Sequence, residues 1–146
     1  MSTITNLLAG LGGAIALNIL HESLKGSNAD TPRLDLLGEE ALQKGLHIFG
    51  TEITNEDNLY LAALGGDILT NTIYFSRIGA GEKDQIFSRA IGLGLTAGIG
   101  ALLLPKPMGL DPNTSARNPK VSAMTVAYYL TGALVTAGIL NAIRKN

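Results

Sequence analysis

Three long stretches of this chain carry no Asp, Glu, Lys, Arg or His side chain, and this absence limits its fold more than any other feature. The stretches are residues 1–20, 90–104 and 121–143. A soluble protein has charged side chains at about a quarter of its positions, whereas only 16% of this chain is charged. The pattern therefore predicts helices surrounded by lipid, within one domain of 146 residues.

Four apolar segments are long enough to cross a bilayer, because about 20 helical residues cover its roughly 30 Å hydrocarbon core. The predicted spans are residues 4–20, 59–78, 86–104 and 121–143. We therefore expect an all-α, multi-pass membrane protein, in which residues 1–146 form one compact bundle of four transmembrane helices arranged as two helical hairpins. The alternative is a soluble bundle with unusually apolar helices, which the absence of tryptophan for an interfacial belt favours.

The loop between the first two spans contains a further helical pattern. Residues 32–49 place apolar side chains along one side, with acidic side chains largely elsewhere, which predicts a short helix that is either interfacial or packed across the mouth of the bundle. Thr31 is the predicted N-cap of this helix and Gly50 its predicted end. Thr54 and Asn118 are the predicted caps of the second and fourth spans.

Lysine and arginine residues are divided almost evenly between the two sides of the predicted bundle, so the positive-inside rule sets no orientation. On the side of the first and third loops lie Lys25, Arg33, Lys44, Lys106, Arg117 and Lys120. On the side of the termini and the second loop lie Arg77, Lys83, Arg89, Arg144 and Lys145. The acidic excess of the first loop favours cytoplasmic termini. We expect an integral protein of the plasma (inner) membrane.

Small residues recur at a spacing of four in every predicted span, and this spacing allows helix backbones to approach closely in lipid. The predicted packing residues are Gly10 and Gly13 in the first span, Gly66 in the second, and Gly94 and Gly98 in the third. They predict close helix contacts within one chain. The same pattern also fits a homodimer, for which Gly94 and Gly98 are the predicted contact.

Asp67 lies near the centre of the second span, where insertion scales assign a carboxylate a cost of roughly 2.5–3.5 kcal/mol. Each Leu or Ile favours insertion by only about 0.3–0.6 kcal/mol. We therefore expect the Asp67 side chain to face the bundle interior and not the lipid. Asn71 lies one helical turn further along the same stripe. Three roles are open for Asp67: interhelical hydrogen bonding, a proton or ion site, and a catalytic carboxylate.

Asn18 and Glu22 form a second polar stripe at the end of the first span, with His21 beside them. Both stripes lie toward the first loop, so we expect a polar cavity that opens on that side. Its predicted lining is Asn18, His21, Glu22, Asp67 and Asn71, with Thr96 or Thr131. The first five of these are also the predicted ion- or solute-binding residues. No metal-ligand spacing and no nucleophile–base pair is found, so no catalytic residue, metal or cofactor is predicted.

Two functions are consistent with this pattern. The first is a transporter or channel-like protein that uses Asp67, and with it Glu22, as titratable sites. The second is a non-catalytic membrane scaffold or accessory subunit, whose polar interior is structural and whose acidic loop contacts a partner. The expected partners are the lipid bilayer and either a second copy or another membrane subunit. Nucleic acid is not expected, because the net charge of −1 provides no basic surface.

Overall fold

The chain folds into α-helices joined by turns, in a computed structural model that describes residues 2–146. The helices are Thr3–Leu24 (α1), Leu34–Ile48 (α2), Glu56–Ser76 (α3), Ile86–Leu103 (α4), Asn113–Ala116 (α5) and Pro119–Lys145 (α6). Two short 3₁₀ turns, Arg77–Gly79 and Lys83–Gln85, join α3 to α4. Residues 2–146 contain no strand, so the prediction of an all-α protein is confirmed.

Three helical segments are long and apolar enough to cross a membrane. They are Thr3–Leu24, Lys83–Leu103 and Pro119–Lys145, which correspond to α1, to α4 with the turn before it, and to α6. This composition is typical of a helical membrane bundle. The second predicted span, α3, is not among the three, since polar side chains such as Asp67 and Asn71 reduce its apolar character.

The long helices pack against one another in three pairs. α1 packs on α3, α4 packs on α6, and α1 and α6 pack on each other at the centre of the bundle. Phe75, Leu17 and Leu140 are completely or almost completely buried between these helices. α2 lies outside this core, against α3 and α5. The bundle therefore has one end that is covered by α2 and the loops next to it.

Four of the five glycines predicted for helix packing lie at close contacts between helices. A Cβ atom on Gly10 would lie 2.9 Å from the backbone nitrogen of Ser76, and one on Gly98 would lie 2.8 Å from the Cα atom of Val126. Gly13 contacts α6, and so does Gly94.

Two expectations about these glycines need correction. A Cβ atom on Gly66 would meet no other atom within 4 Å, because this glycine lies on the outer face of α3. The expected homodimer contact through Gly94 and Gly98 is also wrong, since both glycines are buried against α6 of the same chain.

Gly98→Val is expected to lower the stability of the bundle, because the new side chain would force α4 away from Val126 in α6. Overpacking of this kind costs about 1–3 kcal/mol. The matched control is Gly92→Val in the same helix, where a Cβ atom meets nothing within 4 Å. Thermal unfolding in detergent micelles compares the two variants. Equal midpoints would show that the contact between α4 and α6 does not depend on glycine.

Helix ends agree with the predicted caps in part. Asn118 caps α6 as predicted, and its Oδ1 atom accepts a hydrogen bond from the Val121 backbone N–H at 2.9 Å. Gly50 ends the α2 region in a left-handed conformation with φ +74°. The predictions for the two threonines are wrong. Asn55 caps α3, and the Thr31 hydroxyl donates to a carbonyl group within its own loop, so neither Thr54 nor Thr31 caps a helix.

Candidate functional site

The Asp67 carboxylate lies between α1 and α3 and is held by two asparagine side chains. Asn18 Nδ2 donates a hydrogen bond to Asp67 Oδ2 at 2.9 Å, and Asn71 Nδ2 donates to Asp67 Oδ1 at 3.0 Å. The Asn18 amide also donates to the Ala14 carbonyl at 2.9 Å. Asn18 is 9% exposed and Asn71 is 7% exposed, so both amides are withdrawn from the surface. The three side chains therefore join α1 to α3 in the interior.

A small cavity leads from Asp67 toward the end of the bundle that α2 covers. The polar part of its wall consists of Asn18, His21, Glu22, Asp35, Tyr60 and Asp67. The apolar part consists of Leu17, Leu34, Gly38, Ala63 and Leu64. The cavity volume is about 20 Å³, which is room for about one water molecule.

A group of paired charges surrounds Asp35 where α2 begins. Arg33 donates two hydrogen bonds to the Asp35 carboxylate, from Nε at 2.9 Å and from Nη2 at 2.7 Å. Lys25 Nζ lies 3.7 Å from Asp35 Oδ2 and 2.7 Å from Glu22 Oε2, above the ring of Tyr60. Burial alone would raise the pKa of Asp35, but the hydrogen bonds from Arg33 and the charges of Arg33 and Lys25 outweigh it and lower that pKa.

His21 fastens the beginning of α2 to α1. Its Nε2 atom accepts a hydrogen bond from the Leu34 backbone N–H at 3.1 Å, which satisfies one of the free donors at the start of a helix. The imidazole proton is therefore assigned to Nδ1, which lies 3.5 Å from Glu22 Oε1. Since His21 is buried and already engaged, its role in this arrangement is to position α2 over the cavity.

The structure brings most of the predicted polar residues together. Asn18, His21, Glu22 and Asp67 line one cavity, while Asn71 contacts Asp67 from outside the cavity wall. The two threonines that were expected in the lining are elsewhere: Thr96 is exposed and Thr131 is half-buried, and each donates to a carbonyl group of its own helix.

Sequence reasoning missed the part of the wall that α2 and the start of α3 supply. Asp35 and Gly38 reach the cavity because α2 folds back over α1 and α3, and Tyr60 reaches it from the start of α3 itself. The sequence contains only an indirect signal, namely that Arg33 and Asp35 are two residues apart in an otherwise apolar helix start. No periodicity within α2 shows which helices it covers.

Within residues 2–146, no group of three or more His, Asp or Glu side chains is placed to hold a metal ion. Comparisons with protein-family models, with curated proteins and with solved structures give no match to this chain. The chain is thus an all-helical bundle with three helices apolar enough to cross a membrane and a small acidic cavity at one end.

Asp35→Asn is expected to destabilise the packing of α2, by an amount that depends on pH. Because the folded protein lowers the pKa of Asp35, its ion pairs stabilise the fold above the unfolded pKa of about 3.9. That stability is lost as the pH falls through the folded pKa. We expect Asp35→Asn to cost about 1 kcal/mol near pH 6, since Arg33 is partly exposed.

Thermal unfolding of wild type and Asp35→Asn between pH 3 and pH 7 measures this effect. The difference between the melting temperatures of wild type and Asp35→Asn should become smaller below about pH 4. Asp84→Asn, on an exposed turn at the other end of the bundle, is the control for a loss of one carboxylate. A difference that stays constant down to pH 3 would contradict the assignment.

Proposed function

We propose that this chain is a small transporter or channel-like protein of the plasma (inner) membrane, in which Asp67 takes up a proton or a small cation. Four spans are proposed: α1, α3, α4 and α6. The outer face of α3 supports its inclusion, because it presents Leu61, Leu69 and Ile73, which are 62%, 62% and 49% exposed. Its polar side chains Asp67 and Asn71 are turned toward α1 instead.

The observation that carries this proposal is that Asp67 forms part of the cavity wall and has no cation to neutralise it. Within residues 2–146 its hydrogen-bond donors are the two asparagine amides, and it takes part in no ion pair. A carboxylate in an apolar bundle is unfavourable unless it binds a proton or a cation. The volume of about 20 Å³ favours a proton or a small ion over an organic solute.

Glu22 supports the same proposal, because it provides a second carboxylate between Asp67 and the surface. It lies in the cavity wall and its side chain is 31% exposed, so it contacts both the cavity and water. A proton or cation that enters from the α2 end meets Glu22 before Asp67. The two acids therefore form a short polar path across one end of the bundle.

Flux through proteoliposomes tests this function. Vesicles that contain the purified protein are given either a pH gradient or a gradient of Na⁺ or K⁺, and the decay is followed with an ion-sensitive dye. We expect one of these gradients to decay faster than in protein-free vesicles of the same composition. Equal decay with and without protein for all three ions would contradict the proposal.

The second candidate function is a membrane scaffold or accessory subunit. It is favoured by the hydrogen bonds of Asp67 itself, since both carboxylate oxygens are already used to join α1 to α3. In that case the acidic loop that contains α2 would bind another membrane subunit. The two functions predict different results for the Asp67→Asn variant. A scaffold with this substitution would still bind its partner, whereas a transporter with this substitution would lose its ion flux.

A further inference from the structure

We propose that the end of the bundle opposite to the cavity binds the phosphate group of an anionic phospholipid, through the guanidinium groups of Arg89 and Arg144. This end, here named the turn end, consists of the turns between α3 and α4 and the last turn of α6. Binding of a lipid there does not depend on transport, because it involves neither Asp67 nor the cavity.

The basic side chains of the turn end have no acidic partners. This end has two acidic side chains, Glu82 and Asp84, and five basic ones, Arg77, Lys83, Arg89, Arg144 and Lys145. Within residues 2–146 none of these five takes part in an ion pair, whereas Lys25, Arg33 and Lys120 at the cavity end each pair with a carboxylate. The positive charge of the turn end is therefore available to an anion from outside the chain.

Arg89 and Arg144 are held in place by neutral groups. Arg89 donates hydrogen bonds from Nε to the Ile78 carbonyl at 3.0 Å and from Nη2 to the Glu82 carbonyl at 2.7 Å. Arg144 Nη1 donates to the Lys83 carbonyl at 2.8 Å. Because Glu82 and Lys83 are consecutive residues, both guanidinium groups lie against the same stretch of backbone. The carbonyl groups fix the two guanidinium groups without neutralising their charge.

Both guanidinium groups keep N–H donors for a ligand. Within residues 2–146, Arg89 Nη1 and Arg144 Nη2 donate to no acceptor. Both side chains are only half-buried, so a ligand can reach them from outside. Arginine binds phosphate with parallel N–H groups, and these charge-assisted hydrogen bonds are stronger than those to a neutral acceptor. A phosphate group therefore fits the chemistry of this pair.

The two arginines lie at the level where the apolar surface of the bundle begins. Phe87 and Ile143 are exposed apolar side chains, within two positions of Arg89 and Arg144, and two positions along a helix correspond to about 3 Å. Exposed Ile91, Leu95 and Ile99 continue this surface along α4. In a bilayer, phospholipid phosphates lie at this boundary, and basic pockets between helices bind anionic head groups. A lipid matches both the charge and the apolar surface, whereas a free phosphate matches only the charge.

Native mass spectrometry of the whole chain in detergent tests this site. Dioleoyl phosphatidylglycerol and dioleoyl phosphatidylcholine are added at equal concentrations, and the protein bound to each lipid is counted. Both lipids have a phosphate and the same acyl chains, but only phosphatidylglycerol has a net negative charge. We expect wild type to bind phosphatidylglycerol at least about fivefold more than phosphatidylcholine. Equal binding would overturn the proposal and would leave an acidic segment of another membrane protein as the ligand.

The variant R89Q/R144Q locates the site. It should lower the preference for phosphatidylglycerol at least about threefold, because both guanidinium charges are lost. The matched control is K106Q/K120Q, which removes two charges from exposed positions at the cavity end and should keep the wild-type preference. Circular dichroism confirms that each variant is folded. An unchanged preference in R89Q/R144Q would show that the two arginines only hold the turn. An equal loss in both variants would overturn the proposed location.

If R89Q/R144Q does not fold, K83E/K145E decides the question. Both lysine side chains are exposed, and Arg144 contacts Lys83 through its backbone carbonyl, which this substitution keeps. The preference for phosphatidylglycerol should fall, and an unchanged preference would overturn the proposal.

Glycerol 3-phosphate in large excess distinguishes a lipid from a free phosphate ester. Wild type should retain phosphatidylglycerol, because the acyl chains add apolar contacts that the free ester lacks. Displacement of the lipid would overturn its assignment as the ligand. These measurements use no ion gradient, so an absence of flux through proteoliposomes contradicts the proposed function alone.

Discussion

Asp67→Asn is expected to abolish ion flux through proteoliposomes and to leave the bundle folded. The substitution keeps the size of the side chain and one oxygen acceptor, but it removes the carboxylate at the bottom of the cavity, which takes up a proton or pairs with a cation in this proposal. Flux should fall to the level of protein-free vesicles. The free energy of unfolding should fall by about 1 kcal/mol. The reason is that the NH₂ group of the new asparagine replaces one oxygen acceptor and faces the NH₂ donor of Asn18 or Asn71.

The control for this substitution is Asp84→Asn, which removes the same charge from an exposed turn at the opposite end of the bundle. Its flux should equal that of wild type. A folded Asp67→Asn variant with wild-type flux would contradict a role of Asp67 in transport, and the Asp67 carboxylate would then only join α1 to α3.

Asn18→Leu is expected to destabilise the protein by about 1–3 kcal/mol, because Asp67 Oδ2 would lose its hydrogen bond from α1 and remain in the interior. The same substitution in an Asp67→Leu background should cost much less, since no buried carboxylate is then left without a partner. The four proteins form a double-mutant cycle, measured by thermal unfolding in one detergent. Equal costs of Asn18→Leu in both backgrounds would show that the two side chains do not stabilise each other.

The long helices could be predicted from the sequence because their signal is local. Stretches without charge predicted spans at residues 4–20, 86–104 and 121–143, and the structure has helices at Thr3–Leu24, Ile86–Leu103 and Pro119–Lys145. α1 extends beyond its predicted end, since polar residues such as His21 continue a helix where it leaves the apolar region. Hydropathy detects the apolar part of a helix and not its last polar turn.

The candidate site could be predicted only in part, because spacing along one helix does not show which face has a neighbour. Asp67 and Asn18 face each other as expected for polar groups in an apolar bundle. Thr96 is satisfied within its own helix, as threonine hydroxyls commonly are. Gly66 shares the spacing of Gly10, yet it has open space where Gly10 has the backbone of α3.

The placement of α2 could be predicted only as one of two alternatives, an interfacial helix or a helix packed across the mouth of the bundle. Its sequence predicts a short helix with one apolar side, and the structure has this helix at Leu34–Ile48. Its position over the cavity depends on long-range contacts, such as Leu34 with His21 and Glu40 with the backbone of Asp111. No local pattern contains that information.

The central claim is that α3 crosses the membrane with Asp67 turned inward, and labelling of single cysteines tests it most directly. The chain has no cysteine of its own, so Glu52→Cys, before α3, and Asp84→Cys, after it, each introduce one exposed thiol. A thiol reagent that does not cross membranes is added to intact cells or sealed vesicles. We predict that it labels these two positions from opposite sides of the bilayer. Labelling of both positions from the same side would contradict the claim.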